Sequence, residues 1–283
     1  MLRLAPSAFL SLTAAILLAH GAHAMQVTVV HHARRTIYHS PQTPGYTCWT
    51  GVWRMPDGSV MICFTQATGP VQGWRPRAPL DVLRRMPTAQ QENPAYDFTG
   101  LAQENVYLRS TDAGRTWSKV SADPFSSCLN GYCGGGFALP DGTILRSAWG
   151  QSLTYGDVPD TGFLQRSTDG AQTWGPPEYL SSDPHLQTFP TRIRALRDGR
   201  ILVTGGAGPC DPETWTWMAQ LPKIRPCLWI SRDPECRTWT DPLYIAPEGV
   251  NYAGEEWDQA ELDNGDLLAV LRTATYDAAG NTL

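Results

Sequence analysis

Charge is scarce in this sequence. Asp, Glu, Lys and Arg make up 17% of its 283 residues, with 27 acids against 22 bases. A net charge of −5 argues against nucleic acid as a partner, and none is expected. The six His and seven Cys show no zinc-ligand spacing, and no metal or cofactor is expected. The glycine runs at 134–136 and 205–208 lack the Gly-Lys-[Ser/Thr] ending of a phosphate loop and read as close strand packing. No apolar run reaches the roughly 20 residues that cross a bilayer. The nearest, 9–18, follows Arg3 and leads to Ala22-His23-Ala24, the pattern of a secretory signal cut after Ala24. The expected localisation is secreted or periplasmic, with 25–283 as one domain.

Turn formers and aromatics are plentiful: 26 Gly, 23 Pro and 11 Trp point to a turn-rich all-β chain. One stretch, Ser110-Thr111-Asp112-Ala113-Gly114-Arg115-Thr116-Trp117, organises the rest. It returns as Ser167-Thr168-Asp169-Gly170-Ala171-Gln172-Thr173-Trp174 and as Ser231-Arg232-Asp233-Pro234-Glu235-Cys236-Arg237-Thr238-Trp239. The second copy has its Gly one place early; the third has no Gly and one extra residue. Each follows a short apolar run, as a hairpin turn should. Asp-Gly or Asn-Gly turns alternate with these, at Gly58, Gly142, Gly199 and Gly265. The combined unit is strand, Gly turn, strand, long loop, strand, Asp turn, strand: a four-stranded meander, the blade of a propeller. Both tight turns fall on one face of the blade. The long loops fall on the other, where a site is expected.

The repeat resembles the Asp-box, or bacterial neuraminidase repeat, of the sialidase superfamily, in which it marks the fold away from the active site. The resemblance implies a six-bladed β-propeller of the sialidase type. This chain is expected to carry an N-terminal fragment of about three and a half blades, and that fragment to be aggregation-prone alone. The implied activity is exo-hydrolysis of a terminal acidic sugar from a glycan, sialic acid by default. Two alternatives stay open: a propeller glycosidase or lyase for a different glycan, and a non-catalytic carbohydrate-binding propeller.

Candidate residues come from aligning the four Gly turns. Nine residues before the turn Gly stand Trp49, Cys133, Pro190 and Glu256; seven before stand Gly51, Gly135, Arg192 and Asp258. Residues two apart share a strand face, so both sets are expected to look towards the site. The stretch from Glu256 to Gly265, with Leu267, Leu268 and Arg272, is similar to the family pattern E-x-x-x-x-E-L-x-[DN]-G-x-L-L-x-x-x-R. The resemblance implies that Glu256 polarises a nucleophilic tyrosine, which lies beyond Leu283, and that Arg272 grips a substrate carboxylate. The family's first arginine position holds Cys48 here, and Arg192 or Arg194 is expected to supply a cation from another blade. Asp97 is the candidate general acid, with Glu104 as its rival. In an exported chain, one disulfide is expected among Cys210, Cys227 and Cys236, and another between Cys128 and Cys133.

Overall fold

Each Gly turn reverses the chain through a left-handed residue, which is why glycine stands there. In the computed structural model Gly58, Gly142, Gly199 and Gly265 have φ of 83, 91, 87 and 87°. Each donates its N–H to the carbonyl three residues back, that of Met55, Leu139, Leu196 and Leu262. The side chain just before each glycine accepts the N–H two residues on: Asp57 from Ser59, Asp141 from Thr143, Asp198 from Arg200 and Asn264 from Asp266, at 2.9–3.1 Å.

The structure describes residues 32–41, 45–68, 102–124, 133–148, 161–211, 223–246 and 256–272. A short unit, Met1–Thr36, has no regular secondary structure in its described part; among the described residues the strands lie in the unit Ile37–Leu283. The expected leader, Asp97 and Cys128 lie outside the described residues. Among those residues no helix is long and apolar enough to cross a membrane.

Blade 1 is β1 (Gly45–Arg54), β2 (Val60–Thr68), β3 (Ala102–Ser110) and β4 (Ser118–Pro124). Blade 2 is β5 (Cys133–Ala138), β6 (Ile144–Ala148), β7 (Phe163–Ser167) and β8 (Glu178–Tyr179). Blade 3 is β9 (Leu186–Ala195), β10 (Ile201–Pro209), β11 (Arg225–Ser231) and β12 (Leu243–Tyr244). A fourth sheet has β13 (Trp257–Glu261) and β14 (Leu267–Leu271). Each is an antiparallel meander in chain order, so the all-β, blade-by-blade architecture expected from the sequence is the one found. The inner strands β1, β5, β9 and β13 lie side by side in that order.

The core sits between blades. Trp53, Met61 and Tyr107 of blade 1 pack on Ile144 and Ala171 of blade 2. Leu145 and Leu164 of blade 2 pack on Ile193, Val203 and Trp229 of blade 3. Polar stitches join blade 3 to the fourth sheet: the Trp257 indole donates to Gly205 O at 2.6 Å, and Thr204 Oγ1 donates to Trp257 O at 3.2 Å.

All three Asp turns close, despite two departures from the strict repeat. Ser110 and Ser167 accept the N–H groups of Gly114 and Ala171 at 2.8 and 2.9 Å. Asp112 and Asp169 accept both the N–H and the hydroxyl of Thr116 and Thr173. Asp233 accepts the N–H groups of Glu235 and Arg237 at 2.9 and 2.8 Å. The glycine's place in the first turn (Gly114, φ 85°) is taken by Ala171 (72°) and Cys236 (54°). The preceding blade hydrogen-bonds the carbonyls of both these side-chain-bearing residues. Ser121 of blade 1 donates to Ala171 O, and Arg166 Nη2 of blade 2 donates to Cys236 O at 2.5 Å. Arg166 also donates to Glu235 O at 2.7 Å and pairs with Glu178 at 2.7 Å.

The disulfide expected in blade 3 is not formed. Cys210, Cys227 and Cys236 are buried free thiols. They stand at different heights of one sheet: beyond the far end of β10, within β11, and in the Asp turn at the opposite end. At roughly 3.3 Å per strand residue, positions so separated are out of reach of the short Cα–Cα span a disulfide needs. Burial pushes the Cys236 thiol up to about 11.

Arg166→Met removes the cation that ties blade 2 to the third Asp turn. It is expected to cost about 2–3 kcal/mol, with Arg166→Lys restoring little of it. Equilibrium denaturation measures this; wild-type stability in Arg166→Met rejects the tie. Hydrogen bonds from Thr173 hold Asp169 down at about 2. A carboxyl lowered in the fold stabilises it above the unfolded value of about 4, and the contribution is lost as pH falls through the folded value. Between pH 5 and pH 2, roughly, the melting temperature should therefore fall less steeply for Asp169→Asn than for wild type. Equal slopes would show that Asp169 contributes nothing.

Candidate functional site

The strands β1, β5, β9 and β13 are neighbours in that order, and the residues seven before each turn glycine stand next to one another across them. A Cβ on Gly51 would lie 2.5 Å from Gly135 Cα, so β1 and β5 touch backbone to backbone. A Cβ on Gly135 would lie 3.7 Å from Arg192 Nη1. Arg192 Nε stands 4.0 Å from Asp258 Oδ2, the same oxygen that Arg194 Nη2 reaches at 2.6 Å. The four positions thus form one row across four adjacent sheets. Gly135 has φ 147°, which glycine favours, and its missing side chain leaves the space beside which Arg192 extends.

The positions nine before the glycine relate to this row less simply than alternation predicts. A β-bulge separates them in each of the first three blades: the register shifts between Cys48 and Gly51, between Cys133 and Gly135, and opposite Thr204 and Gly205. A bulge adds a residue to one strand and re-aims the side chains around it, so the two-residue rule fails across it. In blade 3 it also accounts for Gly205, where a Cβ would sit 2.0 Å from Phe189 O. The 205–208 run is therefore strand packing, as expected. Trp49, at the bulge of blade 1, has φ 50° and is 41% exposed. A tryptophan in left-handed backbone is strained, and such strain gathers at ligand-facing positions.

Glu256 and Arg272 meet at the ends of β13 and β14. Arg272 N donates to Glu256 O at 2.8 Å, and Arg272 Nη1 is ion-paired with Glu256 Oε2. Both side chains are open to solvent, at 62% for Arg272 and 34% for Glu256. Arg192, Arg194 and Asp258 are also a third or more exposed. The structure therefore brings three guanidiniums and two carboxylates to neighbouring strands, open to exchange a carboxylate partner for one on a ligand. Glu104 is elsewhere: on β3, two strands out from the row, it accepts from Gln66 Nε2 at 2.7 Å, and Gln66 accepts from Tyr38 at 2.6 Å. Among the described residues no cluster of His, Cys, Asp and Glu is suited to hold a metal ion.

One polar centre escapes the sequence reading. Arg146 of β6 is 1% exposed and bonded to Tyr107, Asp123 and Gln165. Its only signal is a charged residue in the strand Ile144-Leu145-Arg146-Ser147-Ala148, every residue of which is buried.

No protein-family model matches the chain, and no curated protein matches it. Among solved structures it is similar to an unknown-function protein from Dyadobacter fermentans DSM 18053, with 22% identity and a TM-score of 0.51. That match covers 82% of this chain and 64% of the other, so the chain spans under two thirds of that protein's length. It is also similar to the GH93 α-L-arabinofuranosidase of Fusarium graminearum complexed with arabinobiose, with 14% identity and a TM-score of 0.41, over 87% of this chain and 80% of that one. A third is the NanB sialidase of Streptococcus pneumoniae, with 12% identity and a TM-score of 0.41, over 81% of this chain and 45% of that one. Of the three, the Dyadobacter likeness alone is close enough to carry weight, and it speaks for the fold.

The row makes a direct prediction. Gly51→Ala forces two backbones apart and is expected to cost about 1–3 kcal/mol or more. Chemical denaturation measures it, and an unchanged midpoint would refute the contact between β1 and β5.

Proposed function

We propose that the protein is an exported glycosidase whose central face holds a terminal acidic sugar, with sialic acid as the first candidate. The observation that carries this reading is the convergence of Arg192 and Arg194 on Asp258, beside the Arg272–Glu256 pair, on an open face. Planar guanidiniums recognise carboxylate bidentately, a geometry that a point charge does not reproduce. In this reading Arg272, Arg192 and Arg194 bind the sugar carboxylate, while Asp258 holds the last two in place. Glu256 takes the proton of the tyrosine nucleophile that the family resemblance places in a later blade. Asp97 is the proposed acid for the leaving group, and the exposed ring of Trp49 stacks on sugar. Export after Ala24 brings the protein to its glycans.

A different glycan is the second reading, favoured by blade 1. There the row offers Gly51, and its flank offers an exposed tryptophan in place of a cation. The full-length protein assayed on aryl glycosides of acidic and neutral sugars separates the two. Arg272→Ala should lower kcat/KM on the cleaved acidic substrate by roughly 30-fold, the low end for a guanidinium–carboxylate pair, because Arg272 is exposed. Arg272→Lys should rescue poorly. Glu256→Gln should lower kcat with little change in KM, because its task arises as the nucleophile loses its proton. If both variants fold and turn over like the parent, these residues are scaffold. Cleavage confined to neutral glycosides selects the second reading, and binding without any cleavage selects a lectin.

A further inference from the structure

Arg146 is a poor choice for stability alone. A buried guanidinium must recover its lost hydration, and a packed apolar residue in its place is often neutral or better. Here every arm is used on construction. Nε and Nη2 both donate to Gln165 Oε1, at 3.0 and 2.6 Å. Nη1 donates to Tyr107 Oη and to Asp123 Oδ2, each at 2.6 Å. The guanidinium face lies on the Trp174 ring, 4.1 Å from its centre. This scaffold forms one wall of a cavity of about 460 Å³ between β4 of blade 1 and the chain from Gln172 to Pro177 in blade 2. No residue of the central row lines it.

We infer that this cleft between blades 1 and 2 is a second carbohydrate site, for a neutral sugar residue. Its size falls in the range of small-molecule sites, about 300–1,000 Å³. The Arg146–Asp123 pair cancels its own charge, and the Asp123 side chain, 21% exposed, is the group that meets solvent. A carboxylate at the opening accepts hydrogen bonds from sugar hydroxyls. The Gln165 carboxamide is locked, its oxygen on Arg146 and its nitrogen donating to Gly175 O at 2.8 Å. Gln172 adds an exposed amide at the rim, and Pro177 and Trp174 add apolar surface for the C–H face of a sugar ring. The cleft is thus the chemical opposite of the central row, which carries exposed cations.

The test is titration of the full chain with methyl glycosides of galactose, glucose, mannose and xylose, and with free sialic acid, read by saturation-transfer NMR and calorimetry. At least one neutral glycoside should bind. Gln172→Trp, which fills the rim from an exposed position, should weaken it about tenfold or more without lowering the melting temperature. Gln172→Ala should weaken it less. Arg272→Ala should leave it unchanged, which keeps this site separable from the central one whatever the fate of the hydrolase reading. The proposal is overturned if no neutral glycoside binds or if Gln172→Trp binds as wild type does. It is also overturned if Arg272→Ala abolishes the signal, or if sialic acid displaces the neutral sugar in that variant.

Discussion

The fold depends on burying the facing sides of adjacent blades against each other. A four-stranded meander with apolar side chains on two sides has no inside of its own. Trp53, Tyr107 and Ile144 close one interface; Leu164, Val203 and Trp229 close the next. Apolar contact is non-directional and leaves the angle between sheets loose. Direction comes from the Asp turns. Their left-handed residues aim a carbonyl at the preceding blade, where Ser121 or Arg166 receives it. Cooperation of the two explains how Ala171 and Cys236 persist at dihedrals that glycine would adopt more cheaply.

That same stacking builds the central row. Once the blades sit face to face, their inner strands converge until a side chain on Gly51 would collide with the backbone at Gly135. The next two positions along the row carry Arg192 and Asp258. Charge therefore gathers on the side of blades 3 and 4, while blade 1 contributes bare backbone and Trp49.

Two arginine environments divide the molecule's polar chemistry. Arg146 and Arg166 are buried, their donors used on carboxylates, carbonyls and an amide, and their work is to hold sheets and shape a cleft. Arg192, Arg194 and Arg272 are a third or more exposed and paired with carboxylates that are also a third or more exposed. Exposed pairs contribute little to stability, so these partners are cheap to exchange. Burial, and not residue type, separates the guanidiniums that hold sheets together from those that reach solvent.

Local chemistry is what the sequence by itself determined. Asp-Gly and Asn-Gly turns, and the Ser and Asp of the three longer turns, bond within a few residues of themselves. Strand order and the alignment of Arg192 with Asp258 followed from their spacing. Facts that depend on distance through space were decided by tertiary structure alone. The three cysteines of blade 3 are near in the chain, yet the extended sheet sets them at separate heights, and they stay thiols. The bulges that re-aim Trp49 and Pro190 show only in the register of each strand against its partner. Arg146 reads as an oddity until Tyr107 and Asp123 of one blade and Trp174 of the next are brought around it. The reason is physical: a turn satisfies its own hydrogen bonds, whereas a strand's side chains find partners only after neighbouring sheets have packed.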